Sequence, residues 1–197
     1  MKKMLVTGGN RGLGLHLVRK FNADSLSRAQ SVDITKNSGI ETVCAASLNY
    51  DIVINNAFDG PPHEPWANFA QVNLYLALYD AWKSSDKGGY IFNIGSIGSK
   101  NVVAPEPRFE TYRISKAALE HASKQGTQAF KQNIVRFKTT LINTDRLDTD
   151  LSRSRSNWTG NGISLEDVSN FINYALTSNF NSCIEDINFY CNLSYQN

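Results

Sequence analysis

Tyr112 and Lys116 stand four residues apart in Tyr112-Arg113-Ile114-Ser115-Lys116. The stretch from Ser115 to Ala122 is rich in Ala, Lys, Leu and Glu. It reads as the start of a helix, and residues at i and i+4 share a helix face. A phenol and an ammonium on one face make a proton donor. A free Tyr titrates near ~10 and is a poor acid at neutral pH. A nearby cation favours the phenolate and lowers that value, bringing the proton within range of general acid–base work. Tyr-x-x-x-Lys also describes a plain amphipathic turn, so the elements around it must carry the reading.

The N-terminal stretch supplies the first of them. Lys3 to Thr7 reads as a short apolar strand, followed by Thr7-Gly8-Gly9-Asn10-Arg11-Gly12-Leu13-Gly14. Leu13, Leu17, Val18 and Phe21 then recur at helical spacing. Strand, glycine-rich turn and helix in that order turn a glycine match into a phosphate-binding hypothesis. The glycines let the backbone approach a pyrophosphate, and the helix N-terminus offers free N–H groups and a positive dipole end. The competing reading is a tight turn.

Downstream, strands and helices alternate. Ala23 to Arg28 reads as a second strand, with Val32-Asp33-Ile34-Thr35 almost at once after it. A parallel crossover needs about a dozen residues, so a third strand and its preceding helix are expected to be missing. Glu41 to Leu48 is expected as a short helix, Tyr50 to Asn55 as a buried strand, and 59–65 as a Pro-rich loop. Trp66 to Lys83 reads as a long helix and Gly89 to Gly95 as a strand closed by Ser96-Ile97-Gly98-Ser99. A loop over 100–111, a helix over 112–130 and a strand over 133–141 follow, then a polar, mobile stretch over 143–162. Ser164 is placed to cap a helix running to about Ser178, with Glu166 and Asp167 in its first turn. Ile184 to Tyr190 is the last strand expected. The fold class is therefore α/β: one domain over 1–197, a doubly wound parallel sheet of about six strands with a reduced edge and helices on both faces.

Bulk properties narrow the partners. The 197 residues are 41% hydrophobic and 19% charged, enough for a real core. A net charge of +2 gives no reason to expect nucleic acid or an anionic membrane. No run of apolar residues is long enough to span a bilayer, and the apolar run after Lys3 is too short for a signal peptide. Cys44, Cys183 and Cys191 are scattered and lack metal-ligand spacing, which fits reduced thiols in the cytoplasm. His16, His63 and His121 form no cluster, so no metal is expected.

In their order along the chain these stretches resemble the short-chain dehydrogenase/reductase family. Thr7-Gly8-x-x-x-Gly12-x-Gly14 is similar to its cofactor loop, and Asp33 to an Asp that meets the adenine amino group, with Ile34 beside it. Asn55-Asn56-Ala57 is similar to the family's Asn-Asn-Ala-Gly motif after the fourth strand. Asn73, Ser96, Tyr112 and Lys116 match the catalytic set. The resemblance implies a Rossmann-like sheet and a carbonyl–alcohol oxidoreductase acting on a small molecule, often as a homodimer or homotetramer. The hydride comes from the cofactor, so the protein supplies orientation and electrostatics. Ser96 would hydrogen-bond the carbonyl oxygen as charge develops there. Tyr112 would deliver the proton, Lys116 would lower the phenol pKa and bind the nicotinamide ribose, and Asn73 would hold a water leading to Lys116. Ser99 rivals Ser96: it lies thirteen residues before Tyr112, the usual family spacing, against sixteen for Ser96, which directly ends the strand.

Cofactor choice turns on charge. Arg11 in the loop, and Ser27 and Arg28 at the end of the second strand, could hold a 2′-phosphate, which favours NADP(H). Asp33 pulls toward NAD(H), lying about 20 residues past the loop where a ribose-binding acid is expected. A regulatory protein that binds NADP(H) with little turnover is the alternative function. Three departures stand out: Phe58 replaces the motif glycine, the Pro-Gly after the sixth family strand is absent, and the chain is short. Thr144 or Thr149 could meet the carboxamide. Phe58 is expected to reshape the loop beside the adenosine ribose.

Overall fold

The computed structural model describes residues 2–58, 65–100, 109–154, 160–178 and 183–191. The loops expected over 59–65 and 100–111 fall largely outside these residues.

Among the described residues, twelve α-helices and strands follow one another: β1 (Met4–Thr7), α1 (Gly12–Phe21), β2 (Asp24–Leu26), α2 (Asn37–Ser47), β3 (Ile52–Asn55), α3 (Ala70–Ser84), β4 (Gly89–Ile94), α4 (Glu110–Lys131), β5 (Phe137–Thr144), α5 (Asp150–Arg153), α6 (Leu165–Thr177) and β6 (Asp186–Phe189). All the strands pair in parallel, in the order β2-β1-β3-β4-β5-β6. Only Ser27 to Lys36 separates β2 from α2, too little for another crossover, so β2 is the sheet edge.

β1, β3 and β4 carry apolar residues on both sides because helices cover both faces. Leu5, Val53 and Ile91 point into the core beneath α2, α3 and α4. Their neighbours Met4, Val6, Ile52, Ile54, Tyr90 and Phe92 point into the core beneath α1 and α6. Trp82 of α3 anchors the first core: fully buried, edge-on to Phe137 at 5.6 Å, its indole N–H donates to Ser47 Oγ at 2.9 Å. A buried indole without that acceptor would carry an unmet donor. No helix among the described residues is long and apolar enough to cross a membrane.

The boundaries differ from expectation in several places: α2 starts at Asn37 rather than Glu41, and β2 covers Asp24–Leu26 rather than 23–28. The helix expected from Trp66 begins as a 3-10 turn over Pro65–Phe69, and α3 proper starts at Ala70. The fifth strand starts at Phe137 rather than Asn133, because Asn133 leaves α4 with φ +57° and Arg136 turns outward to Asp86 at 3.0 Å. The strand then runs on to Thr144, paired with β6 through Phe189. The expected 143–162 loop thus loses its first residues to β5, gains α5, and is tied back by a bridge between Leu147 and Ile163. Ser164 caps α6 as its sequence position predicts, accepting from Glu166 N at 3.1 Å.

Candidate active site

In an open parallel sheet, ligands bind outside the carboxyl ends of the strands where the strand order reverses. Here that point lies between β1 and β3, and the singled-out residues follow the carboxyl ends of β1, β3 and β4.

The glycine loop leaves β1 with Gly8 at φ +70° and reaches α1 through Gly12 at φ +53°. A Cβ on Gly8 would stand 2.9 Å from the Ala57 Cα, and one on Gly14 would collide with the Gly8 carbonyl. The loop is thus held against the Asn56-Ala57 turn. Thr7 Oγ1 accepts from the backbone N–H of both Asn56 and Ala57 at 3.0 Å, and Asn56 Nδ2 donates to Thr7 O at 3.0 Å. On the other side Gly8 N donates to Leu26 O at 2.9 Å, and Ser27 Oγ to Asn10 Oδ1 at 2.8 Å. No side chain caps α1 and no acid lies in its first turn, so its N–H groups and positive dipole end suit a phosphate. Leu13 is buried beneath the turn, while Arg11 and Arg28 are exposed at its rim. These residues fit a dinucleotide.

Asp33 serves its own turn. Its Oδ1 accepts from Thr35 N at 3.0 Å and Thr35 Oγ1 at 2.8 Å. Burial pushes its carboxyl up, but these bonds with the Arg28 and Lys36 charges outweigh it and hold the carboxyl below its usual range. Ile34 is buried in the core under α2.

Tyr112 and Lys116 lie on the first turns of α4 and share one face: the Lys116 Nζ is 5.8 Å from the Tyr112 ring centre. Lys116 is 5% exposed, and burial pulls its ammonium from 10.5 down to about 7. Nζ donates to Gln71 Oε1 at 2.5 Å and to the Ile94 carbonyl at 3.1 Å. The Phe58 ring closes the site, 4.8 Å from Lys116 Nζ and edge-on to Tyr112 at 5.1 Å. It lies beside the Tyr–Lys pair, not merely in the adenosine end of the loop as expected.

Ser96 and Ser99 part company. Ser96 leaves β4 with its N–H donating to Asn143 Oδ1 at 3.1 Å, and its Oγ accepts from Gly98 N at 3.1 Å. A Cβ on Gly98 would stand 3.2 Å from Ser96 Oγ and 3.6 Å from Tyr112 Cε1, so both border the same small space. Ser99 Oγ donates instead to Glu120 Oε2 at 2.7 Å, one helical turn beyond Lys116. Thr149 caps α5 and its methyl faces Gly12, whereas Thr144 is buried in β5.

Asn73 is placed differently from the expected catalytic role. Its side chain is exposed on α3, and the amide that meets Lys116 belongs to Gln71. Gln71, Leu74, Tyr75, Leu78 and Trp82 form the buried stripe of α3; Asn73 lies off it. Gln71 and Asn143 were missed from sequence. For Gln71 the signal existed: a polar residue on an apolar stripe needs a buried partner. For Asn143 it did not, since its partner Ser96 is distant in sequence. No group of His, Cys, Asp and Glu among the described residues could hold a metal ion.

No family model matches the chain, and no curated protein matches it in sequence. Solved structures do. A 3-alpha-hydroxysteroid dehydrogenase from Pseudomonas sp. B-0831, complexed with NADH, is 17% identical with a TM-score of 0.75, covering 94% of each chain. A 3-ketoacyl-(acyl-carrier-protein) reductase from Brucella melitensis, complexed with NADH, is 17% identical with a TM-score of 0.75, covering 96% of each. L-sorbose reductase from Gluconobacter frateurii, complexed with NADPH and L-sorbose, is 20% identical with a TM-score of 0.70, covering 96% of this chain and 95% of that one. With its six parallel strands, glycine turn and helices on both faces, the chain has the Rossmann-like fold of the short-chain dehydrogenases and reductases.

Proposed function

We propose that the chain is an NADP(H)-dependent oxidoreductase interconverting a carbonyl and an alcohol, with Tyr112 as general acid and base. One observation carries the reading: Tyr112 and Lys116 share a helix face at the mouth of the sheet where Ser96 ends β4 and the glycine loop ends β1. The solved structures with this fold that hold NADH or NADPH lend support.

Thr7, Gly8, Asn10, Arg11, Gly12, Leu13, Gly14, Asn56 and Ala57 form or brace the dinucleotide cradle, and the α1 N-terminus faces its phosphates; Asn55, expected among them, is buried instead against Gln71 and Asn93. When bound, the reduced dinucleotide supplies a hydride. Ser96 Oγ hydrogen-bonds the substrate oxygen, and Tyr112 passes its phenolic proton to that oxygen as negative charge develops there. Lys116 stabilises the phenolate left behind. Thr149, facing Gly12, is the better placed of the two threonines to meet the carboxamide.

The preference for NADP(H) rests on Ser27 and Arg28 immediately after β2, with Asp33 engaged in its own turn. Arg28→Ala is expected to weaken NADPH binding about tenfold or more and to leave NADH binding nearly unchanged. NADH binding as tight as NADPH in a fluorescence titration overturns that preference.

The activity test is NADPH oxidation against aldehydes, ketones, quinones and pterins, with Tyr112→Phe alongside. Turnover abolished by the substitution supports the enzyme. A second reading, a dinucleotide-binding regulator without turnover, is favoured by one feature: Phe58 stands over Lys116 where the family motif has glycine. Tight NADPH binding with no turnover on any carbonyl selects it. Self-association through α3 and α4 belongs to either reading, since Leu76 and Ile114 are exposed there. The unpaired Cys44, Cys183 and Cys191 suit a reducing, cytoplasmic setting.

A further inference from the structure

Lys116 is held by protein. Its buried ammonium has two oxygen acceptors, Gln71 Oε1 and the Ile94 carbonyl, and two ring faces, Phe58 and Tyr112. Among the described residues no charged group offsets its burial. From α3 it meets Gln71, from β4 a backbone carbonyl, from the turn after β3 Phe58, and from its own helix Tyr112.

Gln71 has little freedom in this arrangement. Its Nε2 donates to Asn55 O at 2.6 Å and to Ile94 O at 3.0 Å. Its backbone carbonyl accepts from Asn55 Nδ2 at 3.0 Å. Asn55 Nδ2 also donates to Asn93 Oδ1 at 2.8 Å, and Asn93 Nδ2 to Ser123 Oγ at 2.8 Å. Turning the Gln71 amide over would set its oxygen against two carbonyl oxygens and its NH2 against an ammonium. The network therefore forces Oε1 toward Lys116. The chain Lys116–Gln71–Asn55–Asn93–Ser123 spans α4, α3, β3 and β4, so the amide is fixed by four elements at once.

We propose that Gln71 is a positioning residue for the carbonyl reduction: it aims Lys116 at Tyr112 and favours the charged form of its amine against burial. The proposal rests on the function proposed above. An acceptor on the ammonium favours the charged form, and burial opposes it. Losing the acceptor hands the balance to burial, and the phenolate of Tyr112 loses its stabilising charge.

The test follows Lys116 by NMR in protein carrying 13C,15N-labelled lysine, its signal assigned with Lys116→Arg. Gln71→Met keeps the side-chain length and removes the acceptor; the Lys116 midpoint is expected to fall by about one unit, a tenfold loss of proton affinity. Gln71→Glu keeps an acceptor and adds a charge; the midpoint is expected to rise by about one unit or more. Thermal melts check that each variant folds. In the unaltered protein, the Gln71 side-chain amide signals are expected to shift with the same midpoint as Lys116, which needs no variant. Midpoints unmoved in both variants, or Gln71 signals indifferent to the Lys116 titration, overturn the proposal. The pH profile of kcat/KM is expected to move in the same direction as the titration, with KM for NADPH changed less than kcat. If the unaltered protein turns over no carbonyl, the function reading falls, and the titrations still decide whether Gln71 sets the charge of Lys116.

Discussion

The ring of Phe58 stands 4.8 Å from the Nζ of Lys116 and meets the Tyr112 ring edge-on. An aromatic residue following Asn55-Asn56-Ala57 thereby becomes a wall of the Tyr–Lys site. Its face attracts the ammonium, while its bulk keeps water away from it. Replacing it with Ala admits water, and relief of burial raises a lysine pKa. Phe58→Ala is expected to lift the Lys116 midpoint above about 7, toward its ordinary 10.5. The half-buried ring is worth about 2 kcal/mol of stability, so the variant should still fold. A midpoint that falls instead would mean that the ring's attraction outweighs its exclusion of water.

Ser96 and Ser99 are separated by what their hydroxyls touch. Ser99 donates to Glu120, whereas Ser96 borders the space beside Tyr112. Ser96→Ala is expected to lower kcat about 100-fold, the cost of losing a hydrogen-bond donor to the developing oxyanion. Ser99→Ala is expected to leave kcat within about threefold, because its hydroxyl is taken up by Glu120 and gives no hydrogen bond to the reacting oxygen. Steady-state kinetics on any accepted carbonyl compares the two; equal losses would return Ser99 to candidacy.

Gly14 lies inside α1, where Ala would ordinarily stabilise a helix by about 0.5–1 kcal/mol. Here the added Cβ meets the Gly8 carbonyl oxygen and the Asn56 amide. Gly14→Ala is therefore expected to destabilise the fold by about 2 kcal/mol and to weaken NADPH binding at least tenfold. Urea melts and a binding titration give both numbers. A gain in stability would show that α1 can withdraw from the loop at no cost.

The depressed Lys116 also makes stability depend on pH. Its amine titrates near 7 in the folded chain, below the ordinary 10.5. Between those values the unfolded chain binds more protons, so folding stability rises with pH. The contribution is fully present above 10.5 and lost as pH falls through about 7. Relative to Lys116→Met, the unaltered protein should gain stability from pH 7 to pH 9, by up to about 1.4 kcal/mol per unit. Urea unfolding of both proteins at pH 7, 8 and 9 checks the sign; a constant difference removes the depressed amine.

Much of this protein is legible along the chain because its signals are local. The glycine turn between an apolar strand and a helix, the Tyr–Lys spacing, the Ser164 cap and the absence of room for a crossover after β2 each depend on neighbours in sequence. Strand ends were less legible: β5 begins and ends where β4, β6 and the Arg136–Asp86 pair allow, which no local pattern encodes.

The residues alone determined the fold class and brought Thr7, Gly14, Tyr112 and Lys116 forward as candidates, since periodicity and turn chemistry are written within a few positions; Ser96 came forward through the family resemblance. Tertiary structure alone decided that Gln71 rather than Asn73 reaches Lys116, that Glu120 takes Ser99, and that Phe58 walls the pair. Those choices depend on which face of α3 is buried and on where the ends of β3 and β4 meet α4, distances set by packing between segments far apart in the chain.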